Sequence, residues 1–172
     1  YHHLPNLTAE VLSNGAFKTG DLGYIDEDGY LFLTGRVKEQ FKLENGKYVV
    51  PGKKKKKLKT SPHIEHAVIF GAGKPYNVVL VRPSDDFVDQ FIAQNKGAVD
   101  RSNLERDASF NAAVFEEIQK MGKDFRGYER PQKIAITLDE FSIDNGLLTP
   151  ALKLKRYAIE KKYKERINAL YD

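Results

Sequence analysis

The chain has 172 residues, 41% of them hydrophobic, which suits one domain or one domain with part of another and excludes wholesale disorder. It has no Cys, which excludes disulfides and thiolate chemistry and fits a reducing compartment. The net charge is +4, but removing the six lysines at 53–57 and 59 leaves −2, so the basic character is local rather than spread over the fold.

No run of eighteen apolar residues and no leader pattern occurs, so the sequence offers no membrane span or export signal. In chain order, Thr8-Ala9-Glu10 can start a short helix running to Leu12, and Asn14-Gly15 marks a turn. Leu22–Ile25 and Tyr30–Leu33 read as short strands about Asp26-Glu27-Asp28-Gly29. Asp and Gly tolerate positive φ and close a hairpin there. A Ca²⁺ loop is the competing reading, but the closing bidentate Glu and the flanking helices are missing.

Gln40–Leu43 and Tyr48–Val50 form a second hairpin about Asn45-Gly46, with Pro51 stopping its second strand. A short helix is expected over Lys53–Lys59. Ala67–Phe70 and Val78–Val81 are apolar and β-branched, so they read as central strands. Between them, Gly71-Ala72-Gly73-Lys74 lacks the GxxxxGK[ST] spacing and reads as a turn, not a phosphate loop. His63-Ile64-Glu65-His66 lacks the HExxH spacing of a zinc site.

Ser84-Asp85-Asp86 opens a helix with Phe87, Phe91 and Ile92 on its apolar face. Ser102-Asn103-Leu104-Glu105 fits a capping box. Val114, Ile118, Met121 and Phe125 then recur at helical spacing. Lys133–Leu138 has β propensity. The last segment is helical, with Ile159, Tyr163, Ile167 and Leu170 on one face. This alternation gives an α/β or α+β domain from about Lys38 onward.

Three short elements carry chemistry. The Asp21 carboxylate of Thr19-Gly20-Asp21 can accept two vicinal hydroxyls, or simply close a turn. Arg36, in Gly35-Arg36-Val37-Lys38-Glu39, offers a planar donor fork for ribose or phosphate oxygens, or a surface ion pair. Leu148-Thr149-Pro150-Ala151-Leu152-Lys153 lies near the far end of the chain.

In this order, over almost the whole chain, the three elements resemble the C-terminal part of an AMP-forming acyl-CoA synthetase, most like the long-chain fatty acyl branch. The resemblance implies a small mobile C-terminal domain over residues 38–172, with a short mixed sheet, flanking helices and a two-stranded hairpin. Residues 1–37 would be the tail of a large N-terminal domain. The chain would open at Tyr1 inside a motif, with the Gly-rich phosphate loop and acyl pocket upstream, and would be inactive alone.

The implied cofactors are ATP and AMP, Mg²⁺ held with the missing N-terminal domain, and coenzyme A as substrate. Fatty acid, ATP and coenzyme A would be the small-molecule partners, with no nucleic acid. The implied location is cytoplasmic, with peripheral membrane association of the parent open. Asp21 would hold the nucleotide ribose and Arg36 its ribose or phosphate oxygens. Lys38 would be the hinge, relaxed by Gly35. Lys42 and Gly46 would enter the site for thioester formation, Gly46 letting the pantetheine arm pass close to the backbone. An exposed strand lysine is the alternative for Lys42. The spacing from Lys42 to Gly46 is one residue longer than in many superfamily members.

Lys153 would be the catalytic ammonium of adenylate formation, with Lys155 the competing candidate. Ala151-Leu152 stands where many members have Ser-Gly, which favours the long-chain branch. The lysine run departs from the family, which has an Ile-Glu pair after Val-x-Pro. Five adjacent like charges repel along a helix and supply no apolar anchor. The run is open to reading as an artificial segment, a solvated face, or a basic module for nucleic acid or anionic membrane through Lys53–Lys59. An adenylating enzyme of another branch is the remaining alternative.

Overall fold

The computed structural model describes residues 1–95 and 99–172. Helix α1 spans Pro5–Val11, with Pro5 in the first turn, where the missing N–H is not needed. It begins earlier than the Thr8 start read from the sequence. The Asn14-Gly15 turn closes a short hairpin of β1 (Leu12–Ser13) and β2 (Ala16–Phe17). Both turn residues are left-handed, at φ 51° and 75°. That geometry matches the strand twist and suits Asn-Gly.

Strands β3 (Asp21–Ile25) and β4 (Leu31–Arg36) pair antiparallel, as the sequence indicated. Asp26 Oδ1 accepts from the Tyr30 N–H at 2.8 Å, so this carboxylate serves the turn. A 3₁₀ turn over Val37–Glu39 leads to β5 (Phe41–Lys42) and β6 (Tyr48–Val49). No side chain described before Leu43 is buried.

Pro51 does more than stop β6. It opens α2 (Pro51–Leu58) at the first helical position. Of the readings left open for the lysine run, a wholly solvated face is corrected at Lys54. Pro51, Lys54 and Leu58 are buried. Lys54 Nζ lies 2.9 Å from Glu129 and donates to the Val50 carbonyl at 3.1 Å. The period of the helix turns one lysine inward, where a carboxylate meets it.

The centre is a three-stranded mixed sheet in the order β7-β8-β9, where β7 is Ile64–Phe70, β8 is Asn77–Pro83 and β9 is Pro131–Ile136. β7 is antiparallel to β8, while β9 is parallel to it, reached by a helical crossover. Helices α3 (Asp85–Gln94) and α4 (Ala108–Met121) make that crossover. Ser84 caps α3, accepting from the Phe87 N–H, as the sequence predicted.

β8 alternates between two cores. Val79 and Val81 pack with Leu58, Val88, Phe110 and Ile118 on one face. Val78 and Leu80 pack with Phe70, Ile159, Tyr163 and Ile167 on the other. Two short helices, α5 (Arg156–Lys162) and α6 (Lys164–Asn168), supply that second face.

Further details differ from the expectations. Ser102–Glu105 is not a capping box. The cap of α4 is Asp107, whose carboxylate accepts from the Phe110 N–H at 2.8 Å. Glu105 is committed elsewhere, accepting from the Leu138 N–H at 2.7 Å and pairing with Arg166 at 2.7 Å. Gly122 ends α4, so Phe125 lies beyond the helix while still packing on the core. The last segment is helical as expected, in two pieces. It breaks at Tyr163, whose hydroxyl donates to Asp139 at 2.8 Å.

His66 on β7 is 8% exposed and stacks on Phe141 with ring centroids 5.3 Å apart. Burial, then the charges of Lys59 and Lys55, holds its pKa down at about 4. Glu65 lies 3.6 Å from Nε2 but also pairs with Arg82. Because the folded state resists protonation, the unfolded chain binds more protons between pH 4 and 6.5. The stability tied to neutral His66 is complete above pH 6.5 and is lost as pH falls toward 4. Solvent screening of the two lysines limits the loss to about 2 kcal/mol. Urea unfolding across this range should show a steeper pH slope for the native chain than for His66→Leu; equal slopes would refute the assignment.

Candidate functional site

The residues with chemical potential fall into three groups. Asp21 and Arg36 form the first. They are directly paired in the β3–β4 register, and Arg36 Nε lies 3.0 Å from Asp21 Oδ1. The Val37 N–H donates to the Gly20 carbonyl at 2.8 Å and extends the ladder past the pair. Asp21 is part-buried while Arg36 is largely exposed. The carboxylate keeps its second oxygen free of protein hydrogen bonds among the described residues. This pair can present an acceptor and a guanidinium fork side by side to a diol or phosphate.

Gly35, just before Arg36, is not left-handed. A Cβ there would overlap Val50 Cγ1, so the position requires Gly for close approach to the start of α2. The sequence reading gave Gly35 a role in relaxing the chain ahead of Lys38; its steric fit is the local reason for it. Lys38 itself sits exposed in the 3₁₀ turn that joins β4 to β5.

Lys42 and Gly46 form the second group, on the β5–β6 hairpin. Gly46 has φ 83°, and its N–H donates to the Leu43 carbonyl at 3.0 Å. A Cβ on Gly46 would lie 3.7 Å from Lys42 Cε, which places this lysine stem beside the glycine. The hairpin is held from below. The Gly73 N–H donates to the Lys42 carbonyl at 2.9 Å, and the Glu44 N–H donates to the Lys74 carbonyl at 3.0 Å. The Gly71–Lys74 segment is thus the expected turn, and it also docks the hairpin.

Lys153 is the third. Its loop is pinched at the root by a bridge between Leu148 and Leu154. The Thr149 N–H donates to the Lys153 carbonyl at 2.8 Å, and the Lys153 N–H donates to Thr149 Oγ1 at 3.1 Å. The Leu152 N–H donates to the Thr149 carbonyl at 2.8 Å. Closing so tight a loop puts Leu152 at φ 55°, a conformation that suits Gly. Lys153 is left exposed at the end of the loop, and Lys155 is also exposed. Among the described residues, no hydrogen bond or ion pair joins Lys153 to Asp21, Arg36, Lys42 or Gly46.

One residue outside the predicted site lies between the second and third groups. Arg156, at the start of α5, stacks over Phe70 at 4.8 Å and over Phe41 at 5.6 Å. Burial lowers its pKa, while Glu160, Glu39 and Tyr171 oppose that change. Arg156 borders a cleft of about 240 Å³ with Lys38, Phe41, Phe70, Glu160 and Tyr171. Burial first, then Tyr76, pushes the Tyr171 hydroxyl up to about 12, so it stays protonated. Nothing in the sequence placed this residue against Phe41.

A family model described as AMP-binding enzyme C-terminal domain matches residues 38–172. The long-chain-fatty-acid CoA ligase FadD15 of Mycobacterium tuberculosis is 32% identical over 167 residues, covering 96% of this chain and 28% of that protein. Fatty acyl-CoA synthetase B of Dictyostelium discoideum is 32% identical over 174 residues, covering 99% of this chain and 26% of that protein. Among solved structures, the A-PCP didomain of carboxylic acid reductase from Segniliparus rugosus, in complex with AMP, matches with a TM-score of 0.83 and 27% identity. That match covers 99% of this chain and 23% of the didomain chain. The chain spans about a quarter of the length of these relatives.

The Leu152 geometry gives a direct test. Leu152 is 68% exposed, so its side chain contributes little burial, while its left-handed backbone is strained. Leu152→Gly should raise stability by about 0.5–1 kcal/mol, the relieved strain less the added chain entropy. Equilibrium urea unfolding measures this, and a destabilised Gly variant would contradict the loop geometry.

Proposed function

The chain belongs to the AMP-binding enzyme C-terminal domain family, and on that premise we propose that it forms the C-terminal part of a long-chain fatty-acid:CoA ligase. The observation that carries this reading is the likeness to long-chain acyl-CoA ligases along nearly the whole chain. The parent ligase joins a fatty acid to ATP as acyl-AMP, releasing pyrophosphate. Coenzyme A then displaces AMP as its thiol attacks the acyl carbon.

Each group has a task in this reading. Asp21 accepts the ribose hydroxyls, and Arg36 holds the carboxylate in place while its remaining donors face nucleotide oxygens. The Lys153 ammonium lies between the attacking carboxylate and the α-phosphate. There it stabilises charge that crowds together in the transition state. Lys42 and Gly46 serve the second step. The hairpin presents a lysine beside a backbone with no side chain, which suits passage of the thin pantetheine arm. Mg²⁺ neutralises the nucleotide phosphates when bound. Its protein ligands are assigned in this reading to the rest of the ligase.

The domain boundary is part of the proposal. Residues 1–37 are the tail of the large domain, and 38–172 form the small one. Support comes from the burial pattern: no side chain described before Leu43 is buried, whereas the sheet beyond it has a core on both faces. Tyr24, Ile25, Leu31 and Leu33 on the β3–β4 hairpin are all exposed, a surface suited to packing on a larger body. Lys38 is the pivot, since it lies in the short turn between the two parts. Peripheral attachment to a membrane belongs to this reading, because a long acyl chain partitions there. No helix among the described residues is long and apolar enough to cross a membrane.

A second reading is an adenylating enzyme of another branch. The likeness to the carboxylic acid reductase didomain favours it. Acyl transfer by the full-length enzyme to coenzyme A, compared with a carrier protein as acceptor, separates the two. The purely basic module is weakened because Lys54 is used in the interior.

The half-reactions test the residue assignments. In the full-length ligase, Lys153→Ala should slow acyl-adenylate formation by roughly 10²–10³-fold while sparing transfer from preformed acyl-AMP to coenzyme A. Equal damage to both steps would make Lys153 a structural residue or shift the role to Lys155.

Lys38→Pro addresses the pivot. Proline fixes φ near −65° and should hold the enzyme near one domain orientation. The thioester step should then suffer more than the adenylate step. Proportional loss in both would remove Lys38, and the boundary it marks, from the mechanism.

A further inference from the structure

The lysine run is the sequence feature that the ligase reading leaves without a task. The structure sorts it. Lys54 is buried against Glu129, and Lys55 is part-buried, its pKa lowered chiefly by desolvation. Lys53 lies over the Tyr24 ring at 5.6 Å. Lys56, Lys57 and Lys59 are exposed on the remaining side of α2.

Their neighbour is the end of α4. Thr60 Oγ1 lies 3.7 Å from Met121 Sδ, and Lys57 Nζ lies 3.7 Å from Asp124. These contacts place the exposed Lys120 and Lys123 in the same region. Asp124 and Glu117 are the carboxylates that these lysines meet, and Glu117 is largely buried. Two helix C-termini also converge here, and the negative ends of their dipoles favour nearby cations.

We propose that Lys56, Lys57, Lys59, Lys120 and Lys123 form a docking face for the anionic phospholipid headgroups of a membrane surface. This deepens the ligase reading and rests on it for its purpose, which is to hold the enzyme where its amphiphilic acyl substrate resides. The exposed charges named here are five lysines, with Asp124 beside Lys57. Solvated ammonium groups on flexible stems suit a diffuse plane of headgroups. A nucleic-acid surface instead draws on free guanidinium forks; the one beside this face, on Arg130, is spent on the Phe125 and Lys123 carbonyls at 3.0 and 2.6 Å.

Cosedimentation with vesicles tests the proposal without measuring ligase chemistry, so its failure would leave the ligase reading standing. The chain should bind vesicles of phosphatidylcholine mixed with phosphatidylserine and not vesicles of phosphatidylcholine alone. Binding should fall steeply between about 0.15 M and 1 M salt as the Debye length shrinks. The combined Lys56→Gln, Lys57→Gln, Lys59→Gln variant should lose on the order of 10²-fold in partitioning, with unchanged thermal unfolding. Lys120→Gln with Lys123→Gln should lose on the order of 10-fold. Lys133→Gln, Lys161→Gln and Lys164→Gln together remove the same charge elsewhere and should lose far less. Equal binding to both vesicle types, equal losses for the two triple variants, or tighter retention on duplex DNA than on anionic vesicles would overturn the proposal.

Discussion

Strand β8 is the constraint on which the rest depends. All seven of its residues are buried, so both of its faces must be covered. One face is covered by α2, α3 and α4, and the other by α5 and α6. The pairing is also mixed, antiparallel to β7 and parallel to β9. A parallel neighbour requires a long crossover, and that crossover is the helical segment that covers the first face. The two cores and the topology are consequences of one strand being enclosed on every side.

The chemical groups hang on this frame by short, tightly bonded attachments. The β5–β6 hairpin is docked through backbone bonds to the Gly71–Lys74 turn, which itself joins β7 to β8. The Lys153 loop is closed at its root by the Leu148–Leu154 bridge, directly before α5. Arg156 stacks on Phe41 and Phe70, one at the hairpin and one at the end of β7. In the proposed ligase this carries Lys42 and Lys153 on one body, so a rotation about the Lys38 turn moves both. Two half-reactions then need one pivot rather than two independently moving loops.

What the sequence made legible was local. Asn14-Gly15, Asp26–Gly29 and Asn45-Gly46 announced turns because few residues accept positive φ without strain. The β-branched runs around Val68 and Val79 announced buried strands because branching suits a pleated, enclosed surface. The Asp21–Arg36 pair was legible only as two separate candidates; the hairpin register brought them together. The elements misread were those decided by distant partners. Glu105 looked like the closing residue of a capping box until Leu138 and Arg166 claimed it. Tyr163 looked like one more residue of a helical stripe, yet its hydroxyl bonds Asp139 where the helix breaks. Periodicity carries no information about which carboxylate a remote side chain will reach.

The lysine run shows the same limit in electrostatic form. Five adjacent positive charges disfavour a helix when only their mutual repulsion is considered. Helical geometry spreads them around an axis, and the surroundings then treat each one differently. Lys54 is tolerable inside because Glu129 and the Val50 carbonyl occupy its donors. A buried ion pair of this kind adds little net stability, since desolvation offsets much of the attraction, but losing one partner leaves a costly unpaired charge. Glu129 is therefore what permits the inward lysine, and Pro51 and Leu58 supply the apolar contacts at the two ends of the helix. The outward lysines contribute nothing to the core, so their number is not explained by folding. An inward-facing charge must be matched by its neighbours, whereas an outward-facing cluster is free to be matched by a partner.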